Sequence, residues 1–346
     1  MDKLSAPLAY QPRMRLLLTL RHMKLLKKLY SIHSKSGKEQ KMIKFLLWWI
    51  RNNVPEARVD IDREIGNIYV TKGVSDTYPC IVSHIDQVQT IHSRDFQAIE
   101  TKDIIFGYSP KNKRLEGLGA DDKNGVWVCL KCLLKYDVLK VAFFVGEEVG
   151  CDGSSKADID FFKDVRFVIQ CDRRGSNDLI ASICSTEIAS KEFIEATGHE
   201  QFGYHLEEGM MTDVLTLKEN GLAVSAVNMS CGYFDPHSDH EFTLKKDLLN
   251  CLSFVEHIIE NCTGVYNHQC DYSMGLYDDY FYYDQYYDEL YELLQTYPDL
   301  TFGEVEAAYQ QHNPRLDHKE LKSTYEMVKA DLDFWAKEEE YYAKHY

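Results

Sequence analysis

The chain has 346 residues, 45% of them hydrophobic, and a formal charge of −16, which allows one large α/β domain or two of ordinary size around a substantial core. Such acidity, with no Lys/Arg cluster interleaved with aromatics, argues against nucleic acid as a partner. The one apolar run near the start, Leu16 to Leu18 with Leu20, is flanked by Arg15, Arg21 and Lys24 and is too short for a signal-peptide core or a membrane span. Ten cysteines without an export signal, spread through apolar stretches as Cys80, Cys129, Cys171 and Cys251 are, read as reduced thiols of a cytoplasmic protein.

Leucines at helical spacing predict a first helix over 14–33, its opening part and an N-terminal extension making up residues 1–23. Met14 is an alternative start, because residues 1–13 have no periodic pattern. Ser36 followed by Glu39 resembles a capping box before the apolar run Met42 to Ile50, which predicts a second helix. GNIYVT at 66–71 and CIVSHID at 80–86 are β-rich, the second ending directly in polar residues. GADDKNG at 119–125 reads as a Gly-containing turn opening a helix of about four turns, in which Cys129 and Cys132 are buried packing. VAFFVGEE at 141–148 and RFVIQCD at 166–172 are continuous apolar runs typical of strands covered on both faces. VSAVNMS at 224–230 is a shorter strand candidate, and 243–262 returns to helical periodicity.

Strands alternating with helices predict a three-layer α/β/α fold with a mostly parallel central sheet, in which ligands collect beyond the carboxyl ends of strands. His84 with Asp86, Glu147 with Glu148, and Asp172 all fall at such ends, so distant motifs are expected to converge in one crevice. Beyond Tyr272 the composition changes. Residues 271–346 hold 18 Asp or Glu against 6 Lys or Arg, and 14 of the 23 tyrosines lie in 272–346. Tyr282, Tyr283, Tyr286, Tyr287, Leu290, Tyr291 and Leu294 form an apolar helical stripe, and 325–346 also reads as helix, so 272–346 is predicted to be a small helical appendage.

In the SHID motif, Asp86 lies two residues beyond His84 on an extended chain, where it can fix the imidazole tautomer that a metal requires. The adjacent acids of GADDKNG leave at least one carboxylate free to bridge two cations, the competing reading being a helix cap. Alternation sends Glu147 and Glu148 in different directions, so one can bind metal while the other stays free as a general base. Arg173 and Arg174 follow Asp172; they bind a substrate carboxylate or, the favoured reading, balance the charge of the site. PHSDHE at 236–241 supplies His237 and His240.

Taken together, SHID, GADDKNG, GEEVG, QCD and HSDHE resemble the co-catalytic dizinc peptidases, and most nearly their peptidase T branch. The likeness spans residues 24–262, and the catalytic domain is expected over 24–266. It implies His84, Asp121 and Asp172 at one metal and Asp121, Glu148 and His237 at the other, with Asp121 as the bridge. Glu147 would be the general base and Asp86 would orient His84. Asp213, in MTDVLTLKENG, and His240 join the two arginines as candidate substrate contacts. The cofactor implied is a pair of divalent ions, zinc first, with cobalt or manganese also suited to these donors.

Relatives of this kind commonly carry a further lid or dimerisation domain of about a hundred residues. Here 34 residues separate Asp86 from Asp121 and 64 separate Asp172 from His237, so neither interval holds such a domain. The expected activity is an exopeptidase acting on short peptides, of aminopeptidase or tripeptidase type. An N-acyl amino acid amidohydrolase and a metal-binding but catalytically idle interaction protein are the alternatives. The appendage would cover the cleft, mediate homo-oligomer assembly or stabilise the domain.

Overall fold

The five apolar runs become strands of one sheet. In the computed structural model, which describes residues 23–270, 287–312, 318–319, 321–329 and 332, the strands are, in chain order, β1 (Arg58–Ile61), β2 (Ile68–Lys72), β3 (Tyr78–His84), β4 (Gln97–Glu100), β5 (Ile104–Ser109), β6 (Arg114–Leu115), β7 (Leu139–Phe144), β8 (Val165–Arg173), β9 (Asp178–Ile183), β10 (Thr186–Glu187), β11 (His205–Gly209), β12 (Ala226–Ser230), β13 (Tyr233–Phe234) and β14 (Phe242–Leu244). Nine of them form a sheet in the order β1-β2-β7-β3-β8-β12-β9-β10, with β11 beside β9. β7, β3, β8 and β12 run parallel at its centre. β1 and β2 at one edge and β9 at the other are antiparallel to their inner neighbours.

Side-chain alternation along the central strands explains why both faces are covered. Ile81, Val141, Phe143, Phe167, Ile169 and Cys171 share a buried cluster with Trp127, Leu130 and Cys132 of α3 (Ala120–Lys135) and Phe254 and Ile258 of α7 (Lys245–Asn261). Cys80, Val82, Ala142, Phe144 and Val168, of opposite parity, are also fully buried but stand outside that cluster. The short helix at Asp213–Glu219 lies against β3, β8 and β12, and its buried Val214, Leu215 and Leu217 do not belong to the α3 and α7 cluster either. Helix, sheet and helix therefore form the three layers expected.

The interval between Asp86 and Asp121 builds something the sequence reading did not foresee. It supplies β4, β5 and β6, which join β13 and β14 in a small antiparallel sheet of order β13-β14-β5-β4, with β6 on β5. β14 pairs with β5 through Thr243 and Ile105. Two stretches of chain that are remote in sequence are thereby tied together beside the carboxyl edge of the main sheet.

At the N-terminus residues 23–30 are helical, while the expected N-terminal extension and the Met14 start lie outside the described residues. A second helix runs over Gln40–Asn53. The capping box read at Ser36 is not formed. Glu39 is the N-cap and its carboxylate takes the Gly37 amide, and the Ser36 hydroxyl goes instead to Asp86.

The chain divides into two units after Asp271. In the second, helices at Tyr287–Thr296 and Phe302–His312 and a helical stretch over 321–329 bury Leu290, Leu294, Val305, Leu321 and Val328 together. The side chain of Glu304 accepts the amide and hydroxyl of Thr301 at 2.9 and 2.7 Å, which stops the first turn of its helix from fraying. Tyr282, Tyr283 and Tyr286 of the expected stripe, and the end of the final predicted helix, lie outside the described residues.

Candidate metal centre

Every acidic or histidine motif comes to the carboxyl edge of the parallel strands. His84 is the last residue of β3, and Asp172 is the last but one of β8. After β7, Gly146 turns the backbone with φ +62° into a single helical turn bearing Glu147 and Glu148. His237 sits on the loop between β13 and β14 with φ +63°, a left-handed conformation that a non-glycine residue adopts only where its surroundings fix it.

The two adjacent acids at the start of α3 divide the roles that the sequence left open. Asp122 is the cap: its Oδ1 accepts the Gly125 amide at 2.9 Å and its Oδ2 the Ser83 hydroxyl at 2.5 Å. Gly125 is required for this, because a Cβ there would lie 2.4 Å from both Asp122 oxygens. Asp121 is left free of capping. Its backbone is not yet helical (φ −73°, ψ 104°), and its Oδ1 lies 3.0 Å from His84 Nε2 while Oδ2 lies 3.3 Å from His237 Nε2. One carboxylate thus faces two imidazoles, one oxygen to each.

The other acids gather around these two rings. Asp172 Oδ1 is 3.5 Å and Glu147 Oε2 3.9 Å from His84 Nε2, and Glu148 Oε2 is 3.0 Å from His237 Nε2. Donor atoms of His84, Glu147 and Asp172, and of His84, Asp121 and Glu148, fall within 4.8 Å of one another. The His84 side chain is 0% exposed and that of His237 53%, so the centre opens to solvent on the His237 side.

Further side chains fix the orientation of these groups. Asp86 Oδ1 faces His84 Nδ1 at 3.2 Å and accepts the Glu147 amide at 3.0 Å; its Oδ2 accepts the Glu148 amide at 3.3 Å and the Ser36 hydroxyl at 2.8 Å. Asp172 accepts from the Tyr233 hydroxyl at 3.2 Å and the Gln170 amide at 3.1 Å, while Asn228 brackets its backbone N–H and carbonyl. None of Ser36, Tyr233, Gln170 and Asn228 carries a local sequence signal for this supporting role. Ser36 reaches Asp86 across 50 residues of chain.

Electrostatics test whether these groups suit cations. Burial pushes Glu147 well up, His84 opposing and the charges of Asp172, Asp213 and Glu148 adding to the rise. Burial, with the charge of Asp121, takes Asp172 to about 8. Burial draws His237 down, but Asp121 and Glu148 outweigh it and leave it at about 11. The site therefore holds protons wherever its own residues must neutralise one another, and divalent cations would displace them. Glu148 Oε1, moreover, is buried without a hydrogen-bond partner, a costly state for a carboxylate oxygen unless a cation meets it. The donor set of imidazole and carboxylate fits zinc, cobalt or manganese.

The remaining candidates are placed differently from one another. Arg173 Nε donates to Asp178 at 3.2 Å, and Arg174 offers its carbonyl to the Ser230 hydroxyl. His240 is exposed, its amide donating to the Ser238 hydroxyl. Asp213 is fully buried and its Oδ1 has no partner; burial raises its carboxyl to about 6.

No protein-family model matches the chain, and no curated protein matches it. Solved structures do. Aminopeptidase PepT from Bacillus cereus ATCC 10987 superposes with a TM-score of 0.60 at 14% identity, over 70% of this chain and 98% of that one. A tripeptidase from Staphylococcus aureus subsp. aureus Mu50 gives 0.55 at 15% identity, over 70% and 98%. An aminopeptidase from the archaeon Desulfurococcus kamchatkensis gives 0.53 at 17% identity, over 70% and 95%. At these identities the likeness is one of fold, and the first unit has the α/β fold of these peptidases, in agreement with the resemblance to the peptidase T branch.

Proposed function

We propose that the chain is a metal-dependent exopeptidase, hydrolysing short peptides in the manner of an aminopeptidase or tripeptidase. The observation that carries this reading is Asp121 set between His84 and His237, one oxygen to each, with further carboxylates around both rings. His84, Asp121 and Asp172 would hold one divalent cation and Asp121, Glu148 and His237 the other, zinc being the first choice. When bound, such ions would supply Lewis-acid polarisation of the scissile carbonyl and a water of lowered pKa.

Glu147 is the general base. Asp86 anchors its backbone amide, and burial raises its carboxyl well above the usual glutamate range, the direction in which a carboxylate becomes a stronger base. It takes the proton of the attacking water and returns it to the nitrogen of the leaving amine. Asp86 keeps the His84 ring in one orientation. Asp235 and Asp239, exposed on the loop that carries His237, favour a substrate with a free α-amino group. The buried thiols of Cys80, Cys129, Cys132, Cys151, Cys171, Cys231, Cys251 and Cys262 support a reducing, cytoplasmic setting.

The test is incubation of the purified protein with zinc, cobalt or manganese and with unblocked, N-blocked and N-acetylated peptides. Cleavage confined to unblocked peptides is expected. Release of acetate from N-acetyl amino acids would make the chain an amidohydrolase, and two bound metals with no cleavage of any substrate would make it catalytically idle.

A further inference from the structure

Behind the metal loop lies a buried acid that faces neither imidazole. Glu241 closes the loop that carries His237, immediately before β14, and is 0% exposed. Its Oε2 accepts the Gly119 amide at 2.6 Å and the Gln89 side-chain amide at 3.3 Å, and its Oε1 accepts the amide of Asp121 itself at 3.1 Å. Gln89 Oε1 in turn accepts from Gln87 Nε2 at 2.9 Å. Gln87 Oε1 takes the ammonium of Lys123, a group as fully buried as Glu241. Leu118 supplies that ammonium with a carbonyl at 3.2 Å.

A carboxylate withdrawn from water is costly unless its lone pairs are filled. Here they are filled by the backbone amides of Gly119 and Asp121 and the side-chain amide of Gln89, and charge-assisted bonds of this kind are stronger than neutral ones. The same residue is four positions from His237 along a short loop, and the strand that follows is paired to β5. Gly119 is tightly enclosed as well: a Cβ there would meet Gln87 Nε2 and Lys123 Nζ at 2.8 Å. The loops bearing Asp121 and His237 are thus joined through one side chain.

We infer that Glu241 is the positioning residue of the second cation site, setting Asp121 and His237 at their mutual distance by clamping the Asp121 backbone to the His237 loop. This rests on the metal centre proposed above. Removing supporting groups of this kind costs about 10- to 100-fold in metal affinity.

The experiment is a titration of the metal-free full chain with cobalt, read from absorption and from bound-metal analysis, with thermal unfolding of each variant in parallel. Glu241→Gln keeps the shape but can accept only one of the two amides; Glu241→Leu accepts neither. Wild type is expected to bind two equivalents. The variants should weaken the second equivalent by roughly 10- to 100-fold, Leu more than Gln, and should weaken the first less, because Asp121 serves both sites but His237 only the second. Equal weakening of both equivalents in step with a fall in thermal midpoint would reduce Glu241 to a structural role and overturn the inference. So would wild-type affinity for the second equivalent in Glu241→Gln. Fewer than two equivalents in the wild type would instead remove the metal centre itself, and the inference with it.

Discussion

Glu147 and Glu148 are neighbours in sequence with different surroundings. Glu148 Oε2 sits 3.0 Å from His237 Nε2, while Glu147 approaches His84 only to 3.9 Å. Glu147→Gln is therefore expected to retain both metals and lose about 10²- to 10⁴-fold in turnover, the contribution of a positioned base; near-normal peptide cleavage by the metal-loaded variant would dismiss Glu147 from that role. Away from the centre, His92 stacks on Phe96 at 4.2 Å and on His33 at 5.2 Å. Burial, then the charges of Lys123 and His33, lowers it to about 4. Since its unfolded value is about 6.5, the unfolded chain binds the proton more readily, and stability from this group is lost as pH falls from about 6.5 through about 4. His92→Phe should shrink the drop in unfolding midpoint between pH 7 and pH 5, and an unchanged drop would contradict the assignment. At this scale His84, Glu147, Glu148 and Asp172 were legible as a converging group because each ends an apolar run, whereas Asp121 and His237 end none and stood out only as parts of their motifs. The division of labour between Asp121 and Asp122 was legible only through the family resemblance, since the two are identical in type and adjacent, and in the fold the Ser83 and Gly125 contacts separate them.

The central strands could be read from the sequence because burial on both faces leaves uninterrupted apolar runs, as in LKVAFF and the start of VRFVIQCDR. The small sheet could not. β6 and β13 have two residues each, β14 has three, and β4 is exposed or half-buried throughout, so their pairing rests on partners far away in the chain rather than on local pattern. A false positive has the same origin: Ser36 and Glu39 match the capping spacing, yet a stronger acceptor, Asp86, claims the serine. At the head of α3, Gly125→Ala would drive a methyl into the Asp122 carboxylate. Loss of the cap alone is worth about 0.5–2 kcal/mol, and the displaced Asp122 should disturb Asp121 as well. Chemical denaturation and metal analysis of the variant measure the two effects, and wild-type values for both would refute the account.

Across the whole molecule, each unit has an apolar cluster of its own, and all the proposed ligands precede the division after Asp271. A chain ending at residue 271 is accordingly expected to keep a cooperative unfolding transition and its two metals; loss of either would assign residues 272–346 a part in holding the first unit together. The ligands themselves, His84 to His237, span nearly half the chain and come from separate strand ends and loops. A denatured chain cannot offer them together, because closing such long loops is entropically unfavourable. Metal affinity is then available only to the folded form, and bound ions shift the unfolding equilibrium by mass action, about 2.7 kcal/mol when free metal exceeds its dissociation constant a hundredfold. The centre would act as a clasp as much as a catalyst: a chelator would leave not just an inactive protein but one that melts earlier, and cellular metal supply would govern how long the chain survives.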